Sequence, residues 1–177
     1  ITGLLLVLLY HFFQTIFPGG FFGVDVFFTF SGFLITSLLL EEFGKAHQID
    51  LLGFFNRRFY RIVPPVVLMV LVTMPFTFLV RQDYVAGIGG QIAGVLGFMT
   101  NFYEMLTGGS YESQFIPHLF VHNWSLAVEV HYYILWGLAV WFLSKRSKSS
   151  SQLRGMVFLL SAGAFIISFF SMFIGSL

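Results

Sequence analysis

Two arginines three residues apart, Arg58 and Arg61, lie in the stretch NRRFYRIVPP at the start of a long apolar run. Side chains at this spacing share one face of a helix, and two guanidinium groups on one face form a fork that suits a phosphate. In the alternative interpretation these arginines, together with Arg57, only anchor a membrane helix by extending into the lipid headgroups. The spacing therefore favours either a phosphate site or a membrane anchor.

A histidine and a glutamate lie inside apolar segments, where ionisable side chains are rare and often functional. His11 stands in LLYHFFQ, and a histidine suits a general base for a hydroxyl or a general acid for a leaving group. Glu129 stands in HNWSLAVEVHYYILW, where it needs an arginine, a histidine or its own proton as partner. It could orient a catalytic histidine, hold the arginines or pack as a neutral acid. Both residues also have a purely structural interpretation.

Other polar side chains of the apolar segments give weaker indications. Asp25 is either a functional partner or a cap near the turn at 18–20. Ser31 and Ser125 are candidate nucleophiles without a base nearby in the sequence, and serines in membrane helices usually bond a backbone carbonyl or a neighbouring helix. Three aromatic residues are expected at the membrane interface: Trp124, Tyr132 and Tyr133.

A metal site must also be weighed, because His118 and His122 are four residues apart and Glu129 follows seven residues later. Zinc sites of this kind need both histidines on one helix and a third ligand. Pro117 places the first histidine in a loop or at a helix start. We therefore expect no metal.

The elements that hold these residues are predicted to be membrane spans. The chain has 177 residues, of which 57% are hydrophobic and 10% charged, and its mean hydropathy is +0.86. A soluble domain carries about 25% charged residues, so the composition indicates an integral membrane protein whose partner is the lipid bilayer, and no nucleic acid is expected. The chain has no cysteine, which excludes disulfides, thiolate metal sites and a cysteinyl intermediate.

A span needs roughly 20 apolar residues. The pattern predicts spans at about 1–17, 21–40, 62–80, 123–143 and 155–175, and a weak or re-entrant glycine-rich segment at 87–103. The apolar residues 49–55 are expected as a short interfacial helix, and Pro64 and Pro65 in the first turn of the span that follows. The predicted fold class is all-α, a polytopic transmembrane helix bundle. Because the chain begins and ends within or close to apolar runs, we expect it to be a fragment of a larger membrane domain.

Orientation follows from lysines and arginines in short loops, which favour the cytoplasm. The segments 41–61 and 144–154 carry four such residues each, so both are expected on the cytoplasmic side. Three crossings at 62–80, 87–103 and 123–143 would place them on opposite sides. Either 87–103 enters and leaves the membrane on one face, or the rule fails once.

Four stretches together resemble the membrane acyltransferase family 3, which includes bacterial O-acetyltransferases of cell-surface carbohydrate. They occur in the family's order: YHFF at 10–13, PGGFFGVDVFFTFSGFLIT at 18–36, FFNRRFYRIVPP at 54–65 and NWSLAVEVHYYILW at 123–136. The resemblance covers residues 1–143. It implies a multi-pass domain of roughly ten spans in the cell membrane, of which this chain holds about the first six.

The resemblance also implies a reaction. Family members take an acyl group, usually acetyl from cytoplasmic acetyl-CoA, and deliver it to a hydroxyl of an extracytoplasmic carbohydrate. The family's histidine matches His11, and its Arg-x-x-Arg motif matches Arg58 and Arg61. A further motif matches Trp124, Ser125, Leu126 and Glu129. The resemblance thus implies His11 and Glu129 as catalytic residues, Arg58 and Arg61 as ligands of CoA phosphates, and acetyl-CoA as the cosubstrate.

Two features depart from the family. Its first-span arginine would fall before Ile1, and Gly137 stands where many members have a proline. Two other classes of function also stay open. In a proton- or ion-coupled transporter or channel, His11, Asp25 and Glu129 would line the path. In a purely structural helix bundle, the arginines would be anchors.

Overall fold

The computed structural model of the chain describes residues 22–80, 87–107 and 119–175, the side chains of 78–80 excepted. Within these ranges the chain is helical and contains no β-strand. The helices are α1 (Phe22–Ala46), α2 (Leu51–Val80), α3 (Ile88–Leu96), α4 (Thr100–Thr107), a 3-10 turn (Val121–Asn123), α5 (Trp124–Arg146) and α6 (Ser150–Gly175). The fold class is the one predicted, an all-α membrane helix bundle.

Four of the described helices are long and apolar enough to cross a membrane. These candidate spans cover Phe22–Ala46, Leu51–Thr77, Val121–Arg146 and Ser150–Gly175. At most 22% of the most apolar window of each is buried inside the bundle, so most of its apolar surface is left for lipid or for further protein. The chain is therefore a multi-pass membrane protein.

Helix α2 begins earlier than the sequence pattern predicts. It runs from Leu51 to Val80 and includes most of the segment 49–55, so the expected separate interfacial helix is wrong. The physical reason is a cap, because Asp50 Oδ1 accepts a hydrogen bond of 2.9 Å from the amide of Gly53. A side-chain oxygen at this position satisfies one of the free amide donors in the first turn.

The proline pair in α2 does not mark a helix start, which is a second correction. Pro64 and Pro65 lie inside the helix. A proline removes the donor for the carbonyl four residues earlier, here those of Tyr60 and Arg61. Membrane helices tolerate this where neighbouring groups take up the freed carbonyls. The arginines consequently lie within a long helix and not in a loop before it.

Helices α1 and α5 run parallel. Ser31 bonds Glu129, and further along both helices Trp136 Nε1 donates to Thr36 Oγ1. The last turns of both helices carry basic residues, Lys45 in α1 and Lys145 and Arg146 in α5. The two basic segments therefore lie at the same end of the bundle, which we call the basic end.

Helix α2 runs antiparallel to α5, because its start packs beside Gly137 and its later residue Met69 has Sδ 3.9 Å from Asn123 Nδ2. The chain therefore leaves α2 and enters α5 at the end opposite the basic end. Between them lie α3 and α4, which rise only about 14 Å and about 12 Å. They are joined by a turn in which Phe98 has a positive φ of 54°. With α3 and α4 too short to cross the membrane, both basic segments lie on one side, and the rule that basic loops favour the cytoplasm needs no exception.

Gly137 lies where α2 packs against α5. A Cβ atom there would lie 3.0 Å from Phe54 Cε1 and 3.5 Å from the Phe55 ring. Phe54 is 2% exposed and belongs to the core that also contains Leu39 and Val140. The Phe54 ring occupies the space that a side chain at position 137 needs, which is a physical reason for glycine at this position.

Gly137→Ala should lower the melting temperature of the complete protein in detergent, because an extra methyl in a filled site typically costs about 1–3 kcal/mol. Gly163→Ala is a matched control, since nothing lies within 4 Å of a Cβ at that position. Alanine for glycine within a helix is favourable by about 1 kcal/mol, so the control should melt at the same temperature or higher. Equal shifts for both variants would show that Phe54 does not limit position 137.

Candidate functional site

A cavity between α1, α2 and α5 brings together the predicted arginines and the predicted glutamate. Its volume is about 390 Å³, and Arg58, Arg61 and Glu129 line it together with Ser31 and Tyr133. The rest of the wall is apolar and is formed by Phe27, Phe30, Leu34, Ile35, Ile62, Pro65, Val66 and Leu126. We call it the arginine cavity. Charged groups on an apolar wall interact strongly with a ligand, because little water screens them.

Glu129 is 6% exposed, and hydroxyl groups from two helices hold its carboxylate. Ser31 Oγ donates to Glu129 Oε1 at 2.5 Å, and Tyr133 OH donates to the same oxygen. The two hydroxyl oxygens are 2.7 Å apart. The buried carboxylate thus has the hydrogen bonds that it needs without an arginine partner among the described residues.

The sequence names Ser31 as a candidate nucleophile, but it predicts neither hydroxyl group beside Glu129. Its aromatic type predicts Tyr133 at the membrane interface, but it follows Glu129 by four residues and therefore lies on the same helix face. Ser31 was set aside for want of a base nearby in the sequence. Its partner Glu129 lies 98 residues further along the chain, so no local spacing could have indicated the pair.

Arg58 is half-buried beside the cavity. Its guanidinium carbon lies 5.3 Å from the centroid of the Phe54 ring and 5.9 Å from that of Tyr133, which is within the range of cation–π attraction. Its Nε is buried and has no hydrogen-bond partner in the described part of the chain. An unsatisfied buried donor is costly, and an anionic ligand would satisfy it. Arg61, one turn further along α2, is exposed and lines the same cavity.

Arg57 has a different environment. Its Nη2 lies 3.1 Å from Glu42 Oε2, in an ion pair between α1 and α2. Glu42 Oε1 also accepts a hydrogen bond of 2.8 Å from the amide of Asp50. These contacts join the two helices at the basic end and give Arg57 a structural role.

A second cavity lies on the other side of Glu129, between α1, α5 and α6. Its volume is about 570 Å³, and its lining includes Ser31, Glu129, Thr36, Tyr132 and Trp136. The rings of Tyr132 and Trp136 stack with an interplanar angle of 15° and centroids 5.7 Å apart. We call it the aromatic cavity. Ser31 and Glu129 line both this cavity and the arginine cavity, so they form a shared wall.

A third, larger cavity of about 850 Å³ lies between α2 and α5 and extends to Phe98. It begins at Asp50 and Gly53 near the basic end and reaches Arg58 and Tyr133. We call it the entry cavity. Arg58, Ile62 and Tyr133 also line the arginine cavity, so these three side chains separate the two spaces.

The other predicted residues are not brought to this site by the described structure. His11 and His118 lie outside the described residues. Asp25 is exposed near the start of α1 and lines none of the three cavities named above. His122 belongs to the 3-10 turn. Within the ranges that the structure describes, no three His, Asp or Glu side chains lie close enough to hold a metal.

The chain is similar to known proteins over most of its length. A family described as "Acyltransferase domain" matches residues 1–177. The chain is 33% identical over 166 residues to the O-acetyltransferase OatA of Staphylococcus aureus (strain NCTC 8325 / PS 47), covering 93% of this chain and 28% of that relative. It is 35% identical over 128 residues to the putative O-acetyltransferase SACOL0978 of S. aureus (strain COL), covering 72% and 21%. No solved structure matches the chain. The chain thus spans less than a third of the length of these curated relatives.

Proposed function

The chain belongs to the membrane acyltransferase family 3, and from this membership we propose that the complete protein is an integral membrane O-acetyltransferase. It takes an acetyl group from cytoplasmic acetyl-CoA and delivers it to a hydroxyl of an extracytoplasmic carbohydrate, such as peptidoglycan or a surface polysaccharide. The observation that carries the proposal is the arginine cavity, where Arg58 and Arg61 lie with Glu129 and form no ion pair with it among the described residues. The two guanidinium groups are therefore available for an anionic donor.

The donor approaches from the basic end. Arg58 lies about 10 Å along α2 from Leu51, at 1.5 Å per residue, and the entry cavity connects this level with the helix start. Phosphates of CoA bind Arg58 and Arg61, because guanidinium groups present several fixed donors to phosphate oxygens. The thioester then extends inward, toward Glu129. Since the basic segments favour the cytoplasm, this arrangement fits a cytoplasmic acyl-CoA.

His11 supplies the base in this proposal, on the strength of the family motif that it matches. A hydroxyl at neutral pH attacks a thioester only slowly unless a base removes its proton. The imidazole of His11 takes the proton of the acceptor hydroxyl or of an intermediate carrier. The oxygen attacks the acyl carbon, the carbon–sulfur bond breaks, and the CoA thiolate leaves and takes a proton. The sum is one new ester and one free CoA thiol.

The competing transporter function gains no support from the described residues. It needs Asp25 and Glu129 on one path, whereas Asp25 is exposed and lines none of the three named cavities. Glu129 is buried and held by two hydroxyl groups. A path through Glu129 would therefore require other partners than the one expected on α1.

The proposal is tested by incubating the complete purified protein with acetyl-CoA labelled in the acetyl group and with candidate carbohydrates. Label should appear in a carbohydrate as an alkali-labile ester, together with an equal amount of free CoA. Peptidoglycan, polysaccharide and a mock acceptor without free hydroxyls are compared in parallel. Absence of transfer to any carbohydrate, combined with proton flux that depends on Glu129, would contradict the acetyltransferase function and support the transporter function.

A further inference from the structure

Ser31 departs from the usual behaviour of hydroxyl groups in membrane helices. Such groups commonly bond a carbonyl three or four residues earlier in their own helix. Several in this bundle do so: Thr29 to Asp25, Thr36 to Gly32, Thr73 to Met69, Thr77 to Met74, Ser144 to Trp141 and Ser161 to Val157. Ser31 instead donates to the carboxylate of Glu129 on another helix. Its hydroxyl is thus turned toward a base and away from its own backbone.

The contact between Ser31 and Glu129 has the form of an activated nucleophile. A serine attacks a carbonyl only when a base within hydrogen-bond reach takes its proton, and Ser31 Oγ lies 2.5 Å from Glu129 Oε1. Tyr133 orients this base, since its hydroxyl donates to the same carboxylate oxygen and lies 2.7 Å from Ser31 Oγ. Nucleophile, base and orienting group therefore come together from two helices.

The position of the pair gives it access to two spaces. On one side Ser31 and Glu129 line the arginine cavity, where the proposed function places the acetyl thioester. On the other side they line the aromatic cavity, with Tyr132 and Trp136. A group carried on Ser31 can thus be loaded from one cavity and removed from the other. Direct transfer would instead require donor and acceptor to meet in one space.

We propose that Ser31 is an acyl carrier, which receives the acetyl group from the donor thioester as a serine ester and passes it to the acceptor hydroxyl. This inference rests on the proposed function and refines it. It divides the transfer into two half-reactions, each of which exchanges one acyl bond for another. The structural alternative is that Ser31 only positions Glu129.

Atoms and protons balance in both half-reactions. In the first, Glu129 Oε1 takes the proton of Ser31, Oγ attacks the acyl carbon, the carbon–sulfur bond breaks, and the CoA sulfur leaves with the proton from Glu129. In the second, His11 takes the proton of the acceptor hydroxyl, whose oxygen attacks the serine ester. The bond between Ser31 Oγ and the acyl carbon breaks, and Oγ regains the proton that the acceptor hydroxyl gave up. The products are free CoA and the acetylated acceptor.

The test uses the complete protein without an acceptor. An acyl carrier catalyses exchange between acetyl-CoA and isotopically labelled free CoA, whereas direct transfer cannot produce this exchange. We expect rapid exchange and, with labelled acetyl-CoA, a stable acetyl mark on the peptide that contains Ser31, identified by mass spectrometry. Ser31→Ala should reduce exchange and mark to background. Glu129→Gln should slow exchange by about 100-fold or more, the usual effect of losing a positioned base.

Two further variants separate a carrier from a positioning residue. Ser31→Cys should carry the acetyl group as a thioester, which neutral hydroxylamine removes, whereas the serine ester resists this treatment. Ser144→Ala is the matched control, because Ser144 Oγ donates to the Trp141 carbonyl of its own helix, and it should exchange at the unmodified rate. Each variant is checked for folding by its melting temperature.

The outcomes distinguish this inference from the proposed function. Acetyl transfer to carbohydrate without exchange or protein labelling would overturn the carrier role of Ser31 and leave the acetyltransferase standing. A mark on Tyr133 or His11 would also overturn it. If the unmodified protein neither transfers, exchanges nor becomes labelled, the proposed function itself is wrong.

Discussion

Replacing Arg58 and Arg61 together by glutamine should weaken the binding of acetyl-CoA by about 100-fold or more. A hydrogen bond to a charged group contributes about 1.5–3 kcal/mol, and each 1.4 kcal/mol corresponds to a factor of ten. The Nε of Arg58 has no partner in the described structure, and under the proposed function a phosphate of the bound donor would satisfy it. Binding is measured by titration calorimetry on the complete protein in detergent. Lysine at both positions should already weaken binding, because a point charge does not reproduce the planar fork.

The matched control for the arginine pair is Arg57→Gln. Arg57 pairs with Glu42 near the basic end, and its side chain is 56% exposed. Exposed ion pairs contribute about 0.2–1 kcal/mol, so this variant should bind acetyl-CoA with almost unchanged affinity. A second comparison uses S-acetylpantetheine, which carries no phosphate. Its affinity should be the same for the unmodified protein, the double glutamine variant and Arg57→Gln. Unchanged affinity for acetyl-CoA in the double variant would exclude the phosphate fork.

His11→Ala should lower the rate of acetyl transfer to carbohydrate by about 100-fold to 10,000-fold, the range that a positioned general base contributes. The affinity for acetyl-CoA should not change, because the phosphates are assigned to the arginines. Measuring the transfer rate and the acetyl-CoA affinity on one preparation distinguishes loss of the base from loss of the fold. Retained transfer in this variant would remove His11 from the mechanism.

The control for His11 is His47→Asn. His47 is exposed between α1 and α2 and has a positive φ of 52°. Asparagine adopts this backbone conformation more readily than most residues, so the substitution removes an imidazole without straining the turn. Transfer at the unmodified rate is expected. An equal loss in both variants would indicate a general effect of removing histidine and not the loss of one base.

Much of the architecture can be predicted from the sequence, because few backbone structures can span a bilayer. Long apolar runs must form helices, since their backbone groups find no water there, and the charge pattern indicates which ends lie together. The start of α2 was predicted wrongly because the proline pair is a familiar helix-start signal. The actual signal is Asp50, which accepts the amide hydrogen bond of Gly53.

The functional site could be predicted from the sequence only in part. The spacing of Arg58 and Arg61 places them on one helix face, and the structure adds that this face borders the cavity of Glu129. The same four-residue rule places Tyr133 on the helix face of Glu129. The contact between Ser31 and Glu129 depends on the packing of α1 beside α5. Local sequence spacing does not show which helices are neighbours. Ser31 could therefore be assigned a base only from the structure.

The sidedness of acetyl transfer tests the central claim most directly. The complete protein is reconstituted into vesicles with a carbohydrate acceptor trapped inside and labelled acetyl-CoA, which does not cross the bilayer, added outside. Molecules with the basic end outward should place label on the trapped carbohydrate, and the Arg58/Arg61 double glutamine variant should not. Label confined to carbohydrate on the same side as acetyl-CoA would contradict transfer across the membrane through this site.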